Sequence, residues 1–393
     1  MNPLILLPQD EHQRRIDAVK HRLAANGTGA ILITDNANTY YLTGRVFTGY
    51  IYIPVKGPVL YFVRRPAGLA GDDIIYIRKP EEMPLSIGPD NTPERLALEL
   101  DITPYSIIER LKSVFPGSEI TNGSTVMRAC RAVKTPYELQ QIKLSAEKQC
   151  AVYRRVPRMY KDGMTDIELQ IEIERALRLE GCLGQFRISG DSMEIFMGSI
   201  LVGENADNPS PYDFAMGGAG LDPSNPGGAN GTLIRPGNTI MVDANGNFTG
   251  YMTDMTRTFR LGDITELAQK AHQCSIDICH HLAAIALPGT EAKQLYHEAA
   301  RMAEEAGLAE YFMGHHQKAG FIGHGVGIEI NELPVIAPRS RDILAAGNVF
   351  ALEPKFVIPK VGAVGIENTY LVTETGLECL TGDVTEQIVE FIP

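Results

Sequence analysis

The sequence of 393 residues is poor in cysteine and has no excess of positive charge. None of its six cysteines forms a CxxC pair, and they are too widely spaced for a disulfide framework in a chain of this length. With 36 basic and 48 acidic residues, the formal net charge is −12, which argues against a general affinity for nucleic acid or for an anionic membrane. We therefore expect neither partner, and we expect reduced thiols in a cytoplasmic protein.

Long hydrophobic runs are also missing. No apolar run approaches the roughly 18 residues needed to cross a bilayer. The apolar start at residues 3–8 is too short for a signal peptide and has no basic segment before it. The remaining composition, 44% hydrophobic and 21% charged, is ordinary for a globular protein. Such a chain can bury a large core, so its length predicts two or three folded domains rather than disorder.

Strand and helix signals alternate in the first third of the chain. Apolar runs predict strands at residues 30–34, 50–55, 59–63 and 74–77, and helical patterns cover residues 93–100 and 107–114. A seam near residues 122–136 divides the chain into an N-terminal α/β domain, residues 1–132, and a second domain, residues 133–393. Helices and later strands are combined in the second domain, so the expected fold class is α+β.

The second domain begins with helical signals and continues with strands. A long helix is predicted at residues 136–160, and a second helix begins at the capping box formed by Thr165 and Glu168. Two more helices are predicted at residues 265–285 and 291–306. Strands are expected to dominate residues 185–202. The segment 217–231 holds six glycines and two prolines without a phosphate-loop pattern, so it is predicted to be a surface or active-site loop.

Four carboxylates and one histidine in the later part of the chain have unusual surroundings. They interrupt apolar strand segments or stand between glycines: Asp243, Asp254, His324, Glu353 and Glu367. Each acid alone is compatible with the wet face of a strand, and the histidine alone with a structural role. Buried charges are costly unless they are paired or bind metal. The five together therefore predict a metal site.

Two registers remain open for the chain between Asp243 and Asp254. The pair Asn245-Gly246 favours a two-residue turn, which would pair Asp243 with Phe248. A wider loop centred between Phe248 and Thr249 would instead pair the two aspartates directly.

These residues resemble the ligand pattern of the pita-bread metallopeptidases, the family that includes aminopeptidase P, prolidase, methionine aminopeptidase and the non-peptidase creatinase. The separations of the five residues fit the prolidase and aminopeptidase P branch. Further matching motifs are GYMTDMTRT at 250–258, GHGVGIEINELP at 323–334, ALEP at 351–354, RAVKTPYE at 131–138 and YLTG at 41–44. The resemblance implies a creatinase-like N-terminal domain followed by a pita-bread catalytic domain.

The resemblance also implies two divalent metal ions. Asp243 would bind one of them, Asp254 and Glu367 would bridge both, and His324 and Glu353 would each bind one. Two cations would lower the pKa of a water molecule shared between them, and Glu353 would act as general base and then protonate the leaving amine. The oxygen-rich ligand set favours manganese, with cobalt, iron or zinc as alternatives. The implied protein is a homodimer that cleaves short peptides at an N-terminal Xaa-Pro bond.

The chain departs from this family where peptidases usually carry substrate-contacting histidines. Asn331 stands where a second histidine is expected after His324, and the segment 203–214 has no histidine. Tyr212, Asp213 or Asn331 could contact the substrate instead, and we include Tyr212 and Asn331 with Glu353 as candidate catalytic residues. Two alternatives stay open. One is a creatinase-like C–N hydrolase or lyase acting on a small metabolite, and the other is a catalytically silent binding protein on the same scaffold.

Four polar residues near these motifs are interpreted as supporting the structure. His315 and His316 are expected to be structural or solvated rather than replacements for the missing histidines. Arg257 and Glu332 are expected to support the site from behind the ligands, as the resemblance suggests.

Overall fold

The computed structural model describes residues 2–88, 91–190, 196–213 and 216–392. The chain forms two compact units, Met1–Arg131 and Ala132–Pro393. Among the helices of the described ranges, none combines the length and the apolar character that crossing a bilayer would need.

A six-stranded mixed sheet with helices around it forms the first unit. The strands of this unit are β1 (Asn2–Pro3), β2 (Ala30–Ile33), β3 (Thr48–Pro54), β4 (Leu60–Arg65), β5 (Leu69–Ala70), β6 (Ile74–Tyr76), β7 (Arg95–Leu98) and β8 (Glu119–Asn122). The sheet order is β6-β4-β3-β2-β7-β8, and β1 pairs separately with β5. The helices are α1 (Gln9–Ala25), α2 (Asn36–Thr43), α3 (Met83–Ile87), α4 (Tyr105–Val114) and α5 (Ser124–Ala132). The four predicted strands and the helix of residues 107–114 are confirmed within two residues.

The helix predicted at residues 93–100 is wrong, because this segment contains strand β7. The strand lies between β2 and β8 and pairs in parallel with both. Leu96, Ala97 and Leu98 are buried, as expected for a central parallel strand that is covered on both faces. Alanine and leucine favour a helix intrinsically, but this preference is weak and the pairing in the sheet prevails.

Within the described ranges, the α-helices of the second unit are α6 (Pro136–Tyr153), α7 (Asp166–Leu179), α8 (Glu266–Ile285) and α9 (Ala292–Glu305). The capping box predicted at Thr165 and Glu168 is confirmed, and Thr135 caps α6 in the same way with Glu138. Helix α6 ends at Tyr153, before the predicted residue 160, and a short 3-10 turn follows.

The strands of the second unit form two larger sheets and two hairpin ladders. They are β9 (Gly198–Val202), β10 (Thr239–Ala244), β11 (Gly246–Asn247), β12 (Met252–Thr253), β13 (Thr256–Arg260), β14 (Gly323–Gly325), β15 (Glu332–Ile336), β16 (Val349–Leu352), β17 (Lys355–Ile358), β18 (Gly362–Gly365), β19 (Asn368–Thr373), β20 (Gly376–Cys379) and β21 (Val389–Glu390). The larger sheets have the orders β21-β13-β10-β9 and β15-β14-β16-β19-β20.

Two loop segments of this unit were also predicted from the sequence. Of residues 185–202, where strands were expected to dominate, only β9 is a strand within the described part, so that prediction was too broad. Residues 217–231 form the predicted loop. Asp166 anchors it by accepting hydrogen bonds from the backbone N–H groups of Asn230 and Gly231.

Strand alternation explains where the acidic residues point. On β10, Ile240 and Val242 belong to a core that also contains Tyr153 of α6 and Leu169 of α7. Successive strand residues face opposite sides, so Asp243 points away from those two helices. Strand β16 behaves in the same way against α8 and α9, where Phe350 and Leu352 are core residues, and Glu353 follows on the opposite side. The polar side chains of both strands therefore lie on the strand faces that the helices do not cover.

The register of the hairpin that follows β10 differs from both anticipated ones. Asp243 pairs with Thr256, and Gly246 pairs with Thr253, so the connection is centred between Thr249 and Gly250. The Asn247 side chain closes this loop by accepting a hydrogen bond from Gly250 N at 3.0 Å.

The residue opposite Asp254 in this register is Asn245. Because cross-strand partners point to one side of a ladder, Asp243 and Asp254 become diagonal neighbours on the same face.

Acid is expected to destabilise the second unit through His272, a buried residue of α8. Its Nε2 donates to the Glu386 carbonyl oxygen at 2.7 Å, while its Nδ1 is buried without a hydrogen-bond partner among the described residues. Burial lowers the pKa of His272 from 6.5 to about 4. The unfolded chain therefore takes up a proton that the folded chain excludes, and stability should fall by up to about 3 kcal/mol between pH 6.5 and pH 4.

Urea unfolding across this pH range measures the effect in the wild type and in His272→Gln. The glutamine can still donate to Glu386 but does not titrate, so the variant should lose less stability in acid. The same pH dependence in both proteins would contradict the assignment.

Candidate metal centre

Five predicted ligands come together from separate parts of the second unit. Asp243 lies on β10, Asp254 directly after β12, His324 on β14, Glu353 directly after β16 and Glu367 directly before β19. Their ligand atoms form two groups, each lying within 4.8 Å. One group combines Asp254, His324 and Glu367, and the other combines Asp243, Glu353 and Glu367. The structure therefore brings the five side chains together, and their role as metal ligands stays a prediction.

The histidine side of the cluster has the spacing of a metal site. His324 Nε2 lies 3.4 Å from Glu353 Oε1 and 3.8 Å from Asp254 Oδ2. Two ligand atoms about 2.1 Å from one ion would be separated by roughly 3.0–3.4 Å at cis or tetrahedral angles, so the distance to Glu353 is in this range and the distance to Asp254 is slightly longer. Glu367 Oε1 is buried and has no hydrogen-bond partner among the described residues. These donors fit one divalent ion.

The other side of the cluster already contains a cation, the ammonium group of Lys355. Its Nζ donates to Asp243 Oδ2 at 2.8 Å, to Glu353 Oε2 at 2.8 Å and to Glu367 Oε2 at 3.0 Å. The side chain of Lys355 is 0% exposed. Sequence analysis did not single out this lysine. The signal was its position two residues after Glu353 in an apolar strand segment, which places both on one face.

The electrostatics of the cluster reflect a shortage of positive charge. Burial raises the pKa of Asp254 well above its ordinary value, and the nearby charges of Glu367 and Asp243 add to this effect. Burial and the charge of Glu353 raise the pKa of Glu367 to about 7. A divalent cation would relieve this repulsion, because opposite charge favours the ionised carboxylate.

Lys355 and His324 both place positive charge next to the carboxylate of Glu353. Burial alone would raise the pKa of Glu353, but Lys355 and His324 outweigh it and hold this pKa at about 2. Burial also lowers the pKa of His324, but the hydrogen bond and the charge of Glu353, with Asp254 and Glu367 beside it, raise the pKa to about 10. The pKa of Lys355 lies well above its usual value, because the attraction of Asp243, Glu353 and Glu367 exceeds the cost of burial.

Thr256 and Arg257 hold the side chain and the backbone of Glu367. Thr256 Oγ1 donates to Glu367 Oε2 at 2.7 Å. Arg257, which is 2% exposed, donates through Nη1 to the Glu367 carbonyl oxygen at 2.8 Å and through Nη2 to Asn368 Oδ1 at 2.8 Å. The backbone on both sides of the Glu367–Asn368 peptide is thereby fixed.

Glu332 shapes the loop that follows His324. Its Oε1 accepts hydrogen bonds from the backbone N–H groups of Ile328 and Glu329 at 3.0 and 3.2 Å. Its Oε2 forms a buried ion pair with Lys134 Nζ at 2.8 Å. This supporting role agrees with the expectation from the sequence.

Asn331 uses its amide group to hold another segment of the chain. Its Oδ1 accepts a hydrogen bond from Ser189 N at 2.9 Å, and its Nδ2 donates to Ser189 O at 2.6 Å. Only the second hydrogen of Nδ2 is left for a substrate, since a primary amide has two donors. The catalytic role of Asn331 stays a prediction.

Tyr212 lines a small cavity of about 30 Å³ with Ser210 and Gln317 among its neighbours. No predicted metal ligand is among the described residues that line this cavity. Asp213 is exposed next to it, and residue 214, at the end of the same histidine-free segment, lies outside the described residues. The catalytic role of Tyr212 also stays a prediction.

The two histidines that precede His324 share the carboxylate of Asp207, and His315 Nε2 also lies 3.7 Å from Glu310 Oε1. His315 Nδ1 and His316 Nδ1 lie 3.0 and 2.9 Å from Asp207 Oδ2, and His316 N donates to Asp207 Oδ1. These contacts join two loops and agree with the structural interpretation of both histidines.

The fold surrounds a cluster of carboxylates and one histidine with helix-backed strands, an arrangement found in metal-dependent hydrolases. Comparison with known proteins identifies the family. Residues 140–374 match metallopeptidase family M24, and residues 15–133 match the creatinase/prolidase N-terminal domain. The chain belongs to metallopeptidase family M24. It has the expected creatinase-like domain and pita-bread fold, and it is a metallo-hydrolase of the peptidase type.

Individual relatives match the chain almost end to end. An Xaa-Pro dipeptidase of Pyrococcus horikoshii is 26% identical over 366 residues, which cover 92% of this chain and 95% of the relative. The solved Xaa-Pro dipeptidase of Bacillus anthracis has a TM-score of 0.81 at 21% identity, covering 96% of this chain and 99% of that one. The X-Pro aminopeptidase of Thermotoga maritima has a TM-score of 0.77 at 22% identity, covering 94% and 99%.

Proposed function

We propose that the protein is a metal-dependent peptidase that hydrolyses an N-terminal Xaa-Pro bond in short peptides. The observation that carries this proposal is the convergence of four carboxylates and one histidine, with a buried oxygen of Glu367 that lacks a hydrogen-bond partner among the described residues. Membership of the peptidase family and the names of the relatives, Xaa-Pro dipeptidase and X-Pro aminopeptidase, support the choice of substrate.

The proposed metal ligands are Asp243, Asp254, His324, Glu353 and Glu367, with manganese as the expected metal and cobalt, iron or zinc as alternatives. A divalent ion bound by such groups lowers the pKa of a water molecule and polarises a carbonyl group. The resemblance implies two ions. The ligand set offers room for the second only if the ammonium group of Lys355 leaves the three carboxylates that it bonds.

Glu353 is the proposed general base. Its carboxylate would take a proton from the attacking water and deliver it to the nitrogen of the departing proline residue, so that one group serves both half-reactions. The low pKa of Glu353, about 2, keeps its carboxylate ionised at neutral pH, which is the protonation state that a general base needs. Asn331 and Tyr212 are proposed to contact the peptide, as donors that replace the missing histidines.

The activity test compares peptides that differ only at the residue after the scissile bond. Protein stripped of metal and reloaded with manganese or cobalt should release the first residue from Xaa-Pro dipeptides or Xaa-Pro tripeptides, whereas Xaa-Ala peptides should be cleaved far more slowly. Bound metal without turnover of any peptide would refute the peptidase proposal and leave the metal site intact.

A creatinase-like C–N hydrolase or lyase acting on a small metabolite is the second candidate. The observation in its favour is Asn331, whose amide is already bonded at both ends to Ser189 and offers a single further donor for a peptide. A screen of small guanidino and carboxylate compounds under the same metal conditions distinguishes the two candidates.

We also propose the assembly and setting that the sequence led us to expect. Residues 1–132 would form the N-terminal domain and residues 133–393 the catalytic domain of a homodimer located in the cytoplasm. The cysteines Cys130, Cys150, Cys182, Cys274, Cys279 and Cys379 are all free thiols, as a reducing compartment would favour. Light scattering of the purified protein tests the dimer.

A further inference from the structure

Lys355 distinguishes the two halves of the acidic cluster. Its ammonium group lies at hydrogen-bonding distance from Asp243 Oδ2, Glu353 Oε2 and Glu367 Oε2, the three residues of one candidate metal group. An ammonium group has three donors, so these three contacts use its full capacity. Lys355 therefore occupies the position in which a cation would be shared by the same three residues.

The carboxylate oxygens divide between the two halves. Glu353 turns Oε2 to Lys355 and Oε1 to His324. Glu367 turns Oε2 to Lys355, while its Oε1 is buried without a partner among the described residues. Glu367 Oε1 is thus left for the half that contains Asp254 and His324, whereas one oxygen of each carboxylate in the opposite half is bonded by Lys355.

The backbone of Lys355 is held so that its side chain remains in this place. Lys355 O accepts a hydrogen bond from Met313 N at 2.9 Å, and the residue pairs with Gly365 in the β17–β18 ladder. Gly365 has a φ of +140°, and a Cβ atom there would lie 3.0 Å from Lys355 Cα. A glycine at this position lets the two strands approach closely, and this approach brings the lysine near Glu367.

We propose that Lys355 is a built-in replacement for one of the two metal ions, so that the protein binds a single divalent ion with Asp254, His324, Glu353 and Glu367. This inference rests on the proposed function, because it concerns the same metal centre. One ammonium group and one divalent ion neutralise three of the four carboxylate charges, and two divalent ions would neutralise all four. Asp243 then serves mainly as a partner of Lys355.

Metal stoichiometry tests this proposal directly. Full-length protein is stripped with a chelator, equilibrated with manganese and desalted, and its metal content is measured by mass spectrometry. The wild type should retain about one ion per chain, and Lys355→Met, which removes the charge but keeps a chain of similar length, should retain about two. The matched control is Lys143→Met, which removes a half-exposed lysine of the same unit that pairs with Glu378, and it should still retain about one ion.

Electron paramagnetic resonance of the wild type avoids any dependence on the folding of a variant. Manganese added to the stripped protein should give the six-line spectrum of an isolated ion, saturating at about one equivalent per chain. An exchange-coupled spectrum, which two neighbouring manganese ions produce, would overturn the proposal.

The outcomes separate this proposal from the proposed function. Two ions in the wild type, with no gain in Lys355→Met, would overturn the role of Lys355 and leave the metal-dependent peptidase in place. No bound ion in either protein would refute the metal centre itself and the role of Lys355 with it. One ion in the wild type and two in the variant would support both.

Discussion

Replacing Asp254 with alanine is expected to abolish metal binding and to lower kcat/KM by at least about 10³-fold, since metal catalysis contributes several kcal/mol of transition-state stabilisation. Asp254 Oδ2 lies 3.8 Å from His324 Nε2, and the two residues share a candidate metal group with Glu367. Without Asp254, the histidine half would lose one of its charged ligands. The assay is peptide hydrolysis with metal content measured on the same preparation.

The stability of Asp254→Ala without metal provides an independent check. Burial and the charges of Glu367 and Asp243 raise the pKa of Asp254 well above its usual value, so its ionised form is unfavourable in the folded protein at neutral pH. The metal-free variant should therefore unfold at the same denaturant concentration as the metal-free wild type, or higher. Added manganese should stabilise only the wild type.

Asp263→Ala is the matched control, because the side chain of Asp263 is fully exposed. It should bind metal and cleave peptides like the wild type. If Asp254→Ala keeps both metal and activity, the assignment of the histidine half is wrong.

Replacing Arg257 with leucine is expected to lower the free energy of unfolding by about 3–5 kcal/mol, a loss typical of disrupting a buried polar network. The guanidinium group of Arg257 donates to Glu367 O, Asn368 Oδ1 and Thr385 O, and it also bonds the carbonyl oxygens of Thr256, Thr381 and Val384. Leucine would leave these buried acceptors without their donor.

Urea unfolding of Arg257→Leu and the wild type measures this loss. The matched control is Arg154→Leu, because Arg154 is 48% exposed and pairs with Asp383 at the surface; surface ion pairs contribute about 0–1 kcal/mol. Because Arg257 also positions the backbone at Glu367, the variant should bind manganese more weakly. A loss of less than about 1 kcal/mol in Arg257→Leu would mean that the acceptors find other donors.

The five residues of the cluster could be singled out from the sequence because each one stands in surroundings that are unusual for its residue type. Asp243 follows an apolar run, and Glu353 and Glu367 interrupt others, so their burial requires a compensating charge. These residues lie on strands that are far apart in the chain, and the sequence alone does not show that they meet. The resemblance to a family with known ligand spacing was needed to group them. Lys355 also places a charge in an apolar strand segment, two residues after Glu353. The same rule would have singled it out as a cation beside the acidic residues.

The errors have physical causes that local patterns do not contain. Residues 95–98 have the composition of a helix, yet the chain uses them as the strand between β2 and β8, where tertiary pairing outweighs intrinsic preference. The hairpin after β10 was misjudged because Asn247, rather than Asn245, closes the loop. Tyr153 of α6 also contributes, since its hydroxyl accepts a hydrogen bond from Ala244 N at 2.9 Å where the ladder is interrupted. A contact between a helix and a strand cannot be read from the strand alone.

The substrate-contacting residues were the least predictable part. The sequence shows which histidines are missing, but it does not show what the remaining polar groups do. Asn331 is committed to Ser189, and Tyr212 lies beside a cavity whose described lining contains none of the metal ligands. Both observations depend on loop conformations, which side-chain spacing does not encode.

The ammonium group of Lys355 also bears on the order of events when the protein is made. Four clustered carboxylates, three of them buried, would repel each other without a counter-ion, and a nascent chain of that kind would need metal before its core could close. Here the lysine satisfies three of the four carboxylates from within the chain. We therefore expect the polypeptide to fold in the absence of metal and to persist as an intact apoprotein. An ion that binds later would then activate molecules that are already folded.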